Sequence, residues 1–530
     1  VARSQFDVES PLWWCERLYD ELSGRQSHLK KLSDYQQGKH RFPWLPEQLS
    51  DLANRILAMT RTNYMGLVVD ATTERLEVLG FRLGEDAPEA DKEAWRVWQA
   101  NLLDSLSSEA FLQAATLGTT YWLVAPDPND AKTPKITVEH PAQMIVGYSP
   151  GDMRSRDAAL KVWVDDRLDR LCATLYLPGF IFKYQGDKNS KPDKWERRLV
   201  AGEDWPAVNP YGDIVPVVEM RNNPQTIFDG NELRYTGVSE IEDVIDQQDR
   251  INKTIADRLV TQDFGMFPQK WATGWAEDDD EDTLQVATVI PGSGGQTTHP
   301  AGRVNFGRDR IVVANDPDVK FGEFSGASLD PYSTAKNEDV KDIAARTRTP
   351  SQYLLGEMVN ISGEALQAAE SGLVSKVRQR MRAFGEALEE MMRLALTNSP
   401  DNGAAGDKRT STIWRDPEFR TMGQITDAVI KKTQAGLVGI DQALEDLGYT
   451  PTQITRIRAA LMEDAKFKAE ISKIAMGPQL EAQAAAAEQQ AKLQAAQPAP
   501  NPGPGGNRPN SQTASSDRQA NQARSQRGRR

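Results

Sequence analysis

The densest group of chemistry-bearing side chains is the run Glu277-Asp278-Asp279-Asp280-Glu281-Asp282. Carboxylates held around one or two divalent cations are the machinery of metal-assisted phosphodiester hydrolysis, so the run raises a metal-dependent nuclease or other DNA-processing enzyme. Consecutive carboxylates nevertheless project in different directions and cannot all reach one ion. The spaced Asp-x-Asp-x-Asp-Gly loop with its distant Glu is also absent. A solvated loop is the plainer reading, with partner docking or cation binding as its functional alternatives. A second acidic set, Glu240, Glu242, Asp243, Asp246 and Asp249, lies on a stretch of helical periodicity and reads as the polar face of an amphipathic helix.

Other chemistries have less to build on. No Gly-x-x-x-x-Gly-Lys-Ser/Thr phosphate loop occurs, since Gly38-Lys39 is followed by His40. Gly292-Ser293-Gly294-Gly295 lacks the spacing and the strand-to-helix context of a dinucleotide loop. Neither His-Glu-x-x-His nor Gly-x-Ser-x-Gly is present. Cys15 and Cys172 stand far apart and only 4 histidines occur, which argues against a disulfide scaffold or a Cys/His zinc site and suits a reducing compartment. The expectation is a protein that is not an enzyme, with no catalytic residue, metal or cofactor assigned.

The charge is unevenly spread. Of a net −13 over 530 residues, residues 480–530 hold seven basic and three acidic side chains, so residues 1–479 carry −17. Such an acidic body is ill suited to gripping duplex DNA through its phosphates, although DNA can still pass close to it. No apolar run approaches the ~18 residues that span a bilayer, and residues 1–10 hold no apolar signal core, so a soluble, non-secreted protein is expected.

The elements that must position these groups follow from periodicity. Residues 11–35 read as a helix with the stripe Leu12, Cys15, Leu18, Tyr19 and Leu22, ended by Tyr35-Gln36-Gln37-Gly38 with Gly38 as a left-handed cap. Further helices are predicted over 47–58, 61–77, 91–102 and 105–117. Strands are predicted over 119–125, 160–165, 171–177 and 180–185, the last two joined by Pro178-Gly179 into an antiparallel meander. A helix over 239–262 has Ile241, Val244, Ile245, Ile251, Ile255 and Leu259 on one face. A Gly-, Pro- and β-rich excursion then leads to a helix over 331–346 and a break at Thr349-Pro350. A long helix over 362–397 carries Leu366, Leu373, Val377, Met381, Phe384, Leu388 and Met391 on one side, with Gly372 and Gly385 as bend points. A strand at 412–414 and two or three helices between 421 and 475 complete the folded part. Residues 480–496, rich in Ala and Gln, read as at most a fraying helix, and 497–530 as a disordered tail. The fold class is α+β, mainly helical.

This order of elements resembles the portal (head-to-tail connector) proteins of tailed double-stranded DNA bacteriophages, siphophage-type group. The residues that carry the resemblance are Thr349-Pro350-Ser351-Gln352-Tyr353-Leu354-Leu355-Gly356 and Asn360-Ile361-Ser362-Gly363-Glu364-Ala365-Leu366. Supporting matches are Tyr35-Gln36-Gln37-Gly38 and the series Asn63-Tyr64, Val69-Asp70, Glu74-Arg75-Leu76 and Gly80-Phe81. The similarity spans about residues 10–475.

The resemblance implies an α/β wing over 1–238, a stem helix over 239–262, a β-containing clip over 263–330 and a second stem helix over 331–347. It further implies a tunnel loop over 348–361, a long wing helix and strand over 362–419, a helical crown over 420–478 and a disordered tail over 479–530. It implies a homo-oligomeric ring, dodecameric in the virion, at one capsid vertex and present in the host cytoplasm during assembly. Double-stranded DNA would pass through its axis in packaging and ejection. Partners would be the major capsid protein, a scaffold if present, the terminase large subunit and a head completion adaptor, with no membrane. Under that reading Tyr353, Leu354, Leu355 and Met358 narrow the channel, or pack as ordinary core. Glu240, Asp243, Asp246 and Asp249 are candidates for the stem lumen, and Glu277, Asp278, Asp279, Asp280, Glu281 and Asp282 for the adaptor contact. The alternatives are another phage head or neck structural protein, or the metal-dependent DNA-processing enzyme raised above.

Overall fold

The computed structural model describes residues 6–43, 57–84, 90–130, 132–229, 232–265, 270–273, 284–289, 296–300, 310–314, 320–323, 328–356, 363–397, 410–418, 420 and 422–495. Helices α1 (Pro11–Gly24), α2 (Gln26–Gln36) and α3 (Tyr64–Thr73) precede strand β1 (Val78–Leu83) and helices α4 (Lys92–Ala100) and α5 (Leu103–Leu117). Strands β2 (Thr119–Ala125), β3 (Lys135–Glu139), β4 (Met144–Ser149), β5 (Asp152–Asp165), β6 (Arg170–Tyr176) and β7 (Phe180–Asp187) follow. Then come β8 (Glu196–Arg197), β9 (Ala207–Val208), β10 (Val217–Arg221), β11 (Gln225–Asp229) and β12 (Glu232–Thr236). Helix α6 (Ile245–Gly265) leads to β13 (Lys270–Thr273), β14 (Leu284–Val289), β15 (Gln296–Pro300), β16 (Arg310–Ala314) and β17 (Lys320–Glu323). The chain returns through α7 (Asp330–Thr347), α8 (Ser351–Leu355), α9 (Gly363–Leu396), β18 (Thr410–Trp414), α10 (Met422–Gln434), α11 (Ile440–Asp446) and α12 (Pro451–Ala495).

Contacts divide the chain into units Val1–Thr455 and Arg456–Arg530. In the first, the antiparallel meander runs in the order β4-β5-β6-β7-β8, with β9 also on β7, and α1 buries Cys15, Leu18 and Leu22 against it. A second core forms where α9 lays Leu373, Val377, Met381, Phe384, Leu388 and Met391 among α4, α5 and the β10-β2-β3 sheet. This is the apolar stripe anticipated for the long helix, which at 34 residues and ~1.5 Å per residue is about 51 Å long. A third core joins α2, α3, α6 and α7 through Leu32, Met65, Val68, Ile251, Ile255, Val340 and Ile343. Helices α6 and α7 are antiparallel. Arg250 meets Asp339 at 2.7 Å, and Thr261 and Tyr332 share a hydrogen bond of 3.0 Å, so later residues of one helix face earlier residues of the other. In the second unit the described residues continue the helix, with Leu461, Phe467 and Ile471 exposed.

Four differences from the periodicity reading have identifiable causes. The helix expected over 11–35 breaks at Arg25, because α1 and α2 bury their apolar faces in different cores. Arg25 itself turns inward to the carbonyl oxygens of Pro141 and Met144. The helix expected from 239 begins as a 3-10 turn, Glu242–Val244, because Ser239 Oγ is engaged, donating to the Thr116 carbonyl and accepting from the Ile241 N–H. The helix expected over 61–77 ends at Thr73, and the residues beyond it form β1, whose antiparallel partner β18 lies far away in sequence. The resemblance implied disorder from residue 479 and periodicity at most a fraying helix over 480–496, whereas α12 runs to Ala495, in keeping with the high helix propensity of Ala, Gln and Glu. The stretches 47–58, for its first ten residues, and 497–530 lie outside the described residues.

Candidate functional site

Of the residues singled out from sequence, Glu240, Tyr353 and Leu354 lie at the junction where α6, α7 and α8 leave the β-rich body and α9. The junction begins with a backbone crossing. Asn222 N–H donates to the Gly118 carbonyl at 2.8 Å, Val238 N–H to Asn222 at 2.8 Å and Glu240 N–H to Ala115 at 2.9 Å. Gly118 has φ +85°, and a Cβ on Gly237 would stand 1.8 Å from the Gly118 oxygen, so two glycines let three chain segments pass within hydrogen-bonding distance.

That crossing delivers Glu240 to a buried charge cluster. Its carboxylate meets Arg380 Nε at 2.5 Å and Lys376 Nζ at 3.5 Å, and accepts from Asn222 Nδ2 at 3.0 Å. Lys376 also donates to the Thr347 carbonyl at 2.8 Å, and Arg380 to Asn223 Oδ1 at 3.0 Å. The side chains of Glu240, Lys376 and Arg380 are only 5%, 4% and 6% exposed. Burial raises the Glu240 pKa, but the two cations outweigh it and hold the carboxyl below the usual carboxylate range. Burial also lowers the Lys376 pKa, against the pull of Glu240. One carboxylate thus ties the entry to α6, the last turn of α7, the end of β10 and the middle of α9.

A second cluster fixes α8. After α7, Arg348 adopts φ +55° and Thr349 N–H donates to the Ala344 carbonyl at 3.0 Å, which turns the chain at Pro350. Where a loop was expected, residues 351–355 form a short helix whose Leu354 is buried in the core of α2, α3, α6 and α7, with Leu355 packed against the same core. The Tyr353 hydroxyl donates to Glu370 of α9 and accepts from Arg75 at 2.8 Å; Arg75 also meets Glu370 at 3.2 Å and donates to the Pro417 carbonyl at 2.9 Å. Burial, and then the bond to Glu370, raise the phenol pKa and keep it a proton donor.

A third cluster holds α6 to the N-terminal helices. The Tyr35 hydroxyl donates to Asp249 at 2.8 Å, and its ring stacks on His40 at 5.0 Å. Buried His40 lies 2.9 Å from the Tyr35 carbonyl through Nε2 and 3.1 Å from Asn252 Nδ2 through Nδ1; Gln248 of the same helix accepts from the Tyr64 N–H. Burial lowers the His40 pKa, outweighing the bond to Tyr35 and the charge of Asp249. A histidine depressed in the folded state binds fewer protons there than when unfolded. It therefore removes stability as pH falls from its ordinary value near 6.5 toward its folded value. The expected result is that wild-type protein loses unfolding free energy between pH 7 and pH 5 in urea titrations more steeply than His40→Gln. Equal slopes would overturn the assignment.

The sequence-selected acids therefore separate. Asp243 and Asp246 are exposed, Asp249 is engaged by Tyr35, and Glu240 is buried. Glu240, a stem-lumen candidate from sequence, is held inside the subunit by Lys376 and Arg380. Tyr353, Leu354 and Leu355 pack within their own chain. Met358 and residues 277–282 lie outside the described residues. Glu242 and Asp243 border a cleft of about 1420 Å³ whose lining also includes Arg346 and Arg348. Sequence reasoning missed Lys376, Arg380 and Glu370. The available signal was the i, i+4 pair of cations beside the apolar positions Leu373, Val377 and Met381. Among the described residues no group of three or more His, Cys, Asp or Glu is placed to hold a metal ion, and no helix is long and apolar enough to cross a membrane.

The family model "Phage portal protein, SPP1 Gp6-like" matches residues 16–449. The portal protein of Mycobacterium phage D29 is 28% identical over 478 residues, covering 87% of this chain and 90% of the relative. That of Mycobacterium phage L5 is 28% identical over 474 residues, with the same coverage. Among solved structures, the neck of an empty GTA particle computed with C6 symmetry aligns at a TM-score of 0.39 and 14% identity, covering 78% of this chain and 96% of that one.

Proposed function

The chain belongs to the SPP1 Gp6-like family of phage portal proteins and is thus a structural component of the virion; from that premise we propose that identical subunits close into a ring at one capsid vertex, with α6 and α7 framing the passage for double-stranded DNA. The observation that carries this reading is the antiparallel pair α6–α7, whose ends nearest the body are held by the first and third clusters to α2, α3 and α9. A conduit that feels force from moving DNA needs its wall helices fixed to a stiff mount, and buried polar networks whose charges are paired rigidify such mounts. The exposed acids Asp243 and Asp246 supply repulsion for DNA phosphates, which favours sliding over sticking.

On this reading residues 239–262 and 331–347 are the stem, 263–330 the clip, 348–361 the tunnel segment and 420–478 the crown. Residues 277–282 are the proposed contact for a head completion adaptor, and the packaging terminase is a transient partner at the same end. The test is imaging of the purified chain by electron microscopy, with rings that have an axial hole as the expected result. In packaging assays Asp243→Lys/Asp246→Lys rings should form but package several-fold more slowly, with recovery at higher salt. Purified chain that forms no ring would sink the proposal. Unchanged packaging by the double variant would remove these two acids from the channel.

A further inference from the structure

Strands β11 and β12 form a ribbon that, among the described residues, pairs with no other strand, so both of its edges are open. The register sets Phe228 opposite Leu233 and Ile227 opposite Arg234, which places the first pair on one face and the second on the other. Ile227 and Arg234 border the cleft at the junction, whereas Phe228 and Leu233 are 69% and 64% exposed. An isolated two-stranded ribbon is marginal in water, and open edges beside bare apolar side chains are a combination that soluble proteins normally cover.

We propose that this ribbon is the arm by which one subunit grips the next, the occupant of its Phe228/Leu233 face being a second copy of the chain; the proposal rests on the ring reading above. Area and symmetry favour that occupant. A closed ring requires a head-to-tail contact used once per subunit, and an element of each copy with open strand edges and exposed apolar side chains meets that need. An aromatic side chain buries on the order of 150 Å² or more. With Leu233 beside it, Phe228 would supply roughly a third of the ~800 Å² per partner of a standard interface. DNA is a poor alternative, because the exposed pair includes no cation and Arg234 belongs to the opposite face.

The experiment uses the full-length chain carrying Phe228→Ser/Leu233→Ser, followed by sedimentation velocity and thermal unfolding. Both side chains are already exposed in the subunit, so at a concentration where both chains are monomeric the unfolding temperature should stay within a degree or two, while at ring-forming concentration the ring fraction falls at least tenfold. A photo-crosslinking benzoylphenylalanine at position 228 of otherwise wild-type chain should give crosslinked dimers on a denaturing gel. Double-variant rings as abundant as wild type, or crosslinks confined to single chains, would overturn the proposal. So would intact rings that fail only to enter proheads, since the ribbon would then face a capsid component. Wild-type chain that remains monomeric would remove the ring reading itself, and this arm with it.

Discussion

Glu240→Ala is expected to lower the unfolding free energy by about 3–5 kcal/mol, the range for removing one partner from a buried ion pair. The size follows from what stays behind. Lys376 and Arg380 are almost wholly buried, and without Glu240 they keep the Thr347 carbonyl and Asn223 Oδ1 but lose their counter-charge in the cluster. Glu240→Gln should recover part of the loss, since an amide oxygen still accepts from Arg380. Replacing Glu240, Lys376 and Arg380 together by Met should cost less than the single alanine change, because no bare charge is then enclosed. The pH dependence is also set. The folded-state pKa of Glu240 lies below its ordinary value, so its contribution is complete above the ordinary carboxylate range and disappears as pH falls through the depressed folded value. Urea unfolding at pH 7 and pH 8 should therefore show the same deficit for Glu240→Ala. A deficit under 1 kcal/mol at both would show that the cluster does not hold the junction together.

Gly237→Ala should be still more damaging, with a loss above about 4 kcal/mol or no soluble protein at all. Its Cβ would lie 1.8 Å from the Gly118 oxygen and 3.1 Å from the Asn222 nitrogen. Both are backbone atoms, and they are hydrogen-bonded to each other at 2.8 Å, so neither can withdraw without opening the crossing that delivers Glu240 to its cluster. Gly372→Ala is the matched control. That glycine lies inside α9, and the nearest heavy atom to its added Cβ is Arg348 Cβ at 3.9 Å. Relief of glycine's conformational entropy should then stabilise the protein by up to about 1 kcal/mol. Soluble expression and urea midpoints of the two variants provide the comparison. A Gly237→Ala protein with a wild-type midpoint would mean that the three segments can separate freely.

The amino-acid sequence by itself determined what depends on short-range pattern. The apolar spacing along α9, the Ile-rich face of α6, the Pro178-Gly179 turn of the meander and the left-handed Gly38 are all local, and each appears in the structure where periodicity or turn chemistry put it. The order of elements and the short motifs were sufficient for the family, since residues such as Tyr35, Asn63, Arg75 and Tyr353 prove to be those that pin one segment to another. What only the tertiary structure decided is which charges are paired. Glu240 and Asp243 occupy the same acidic stretch and look alike in sequence, yet one is enclosed by Lys376 and Arg380 from a helix more than a hundred residues away and the other is exposed. The pairing of β1 with β18 was hidden for the same reason. Periodicity reports which face of an element is apolar, and can place Lys376 and Arg380 beside it, but which distant segment pairs with a buried charge or an open strand edge is chosen by how those segments come together.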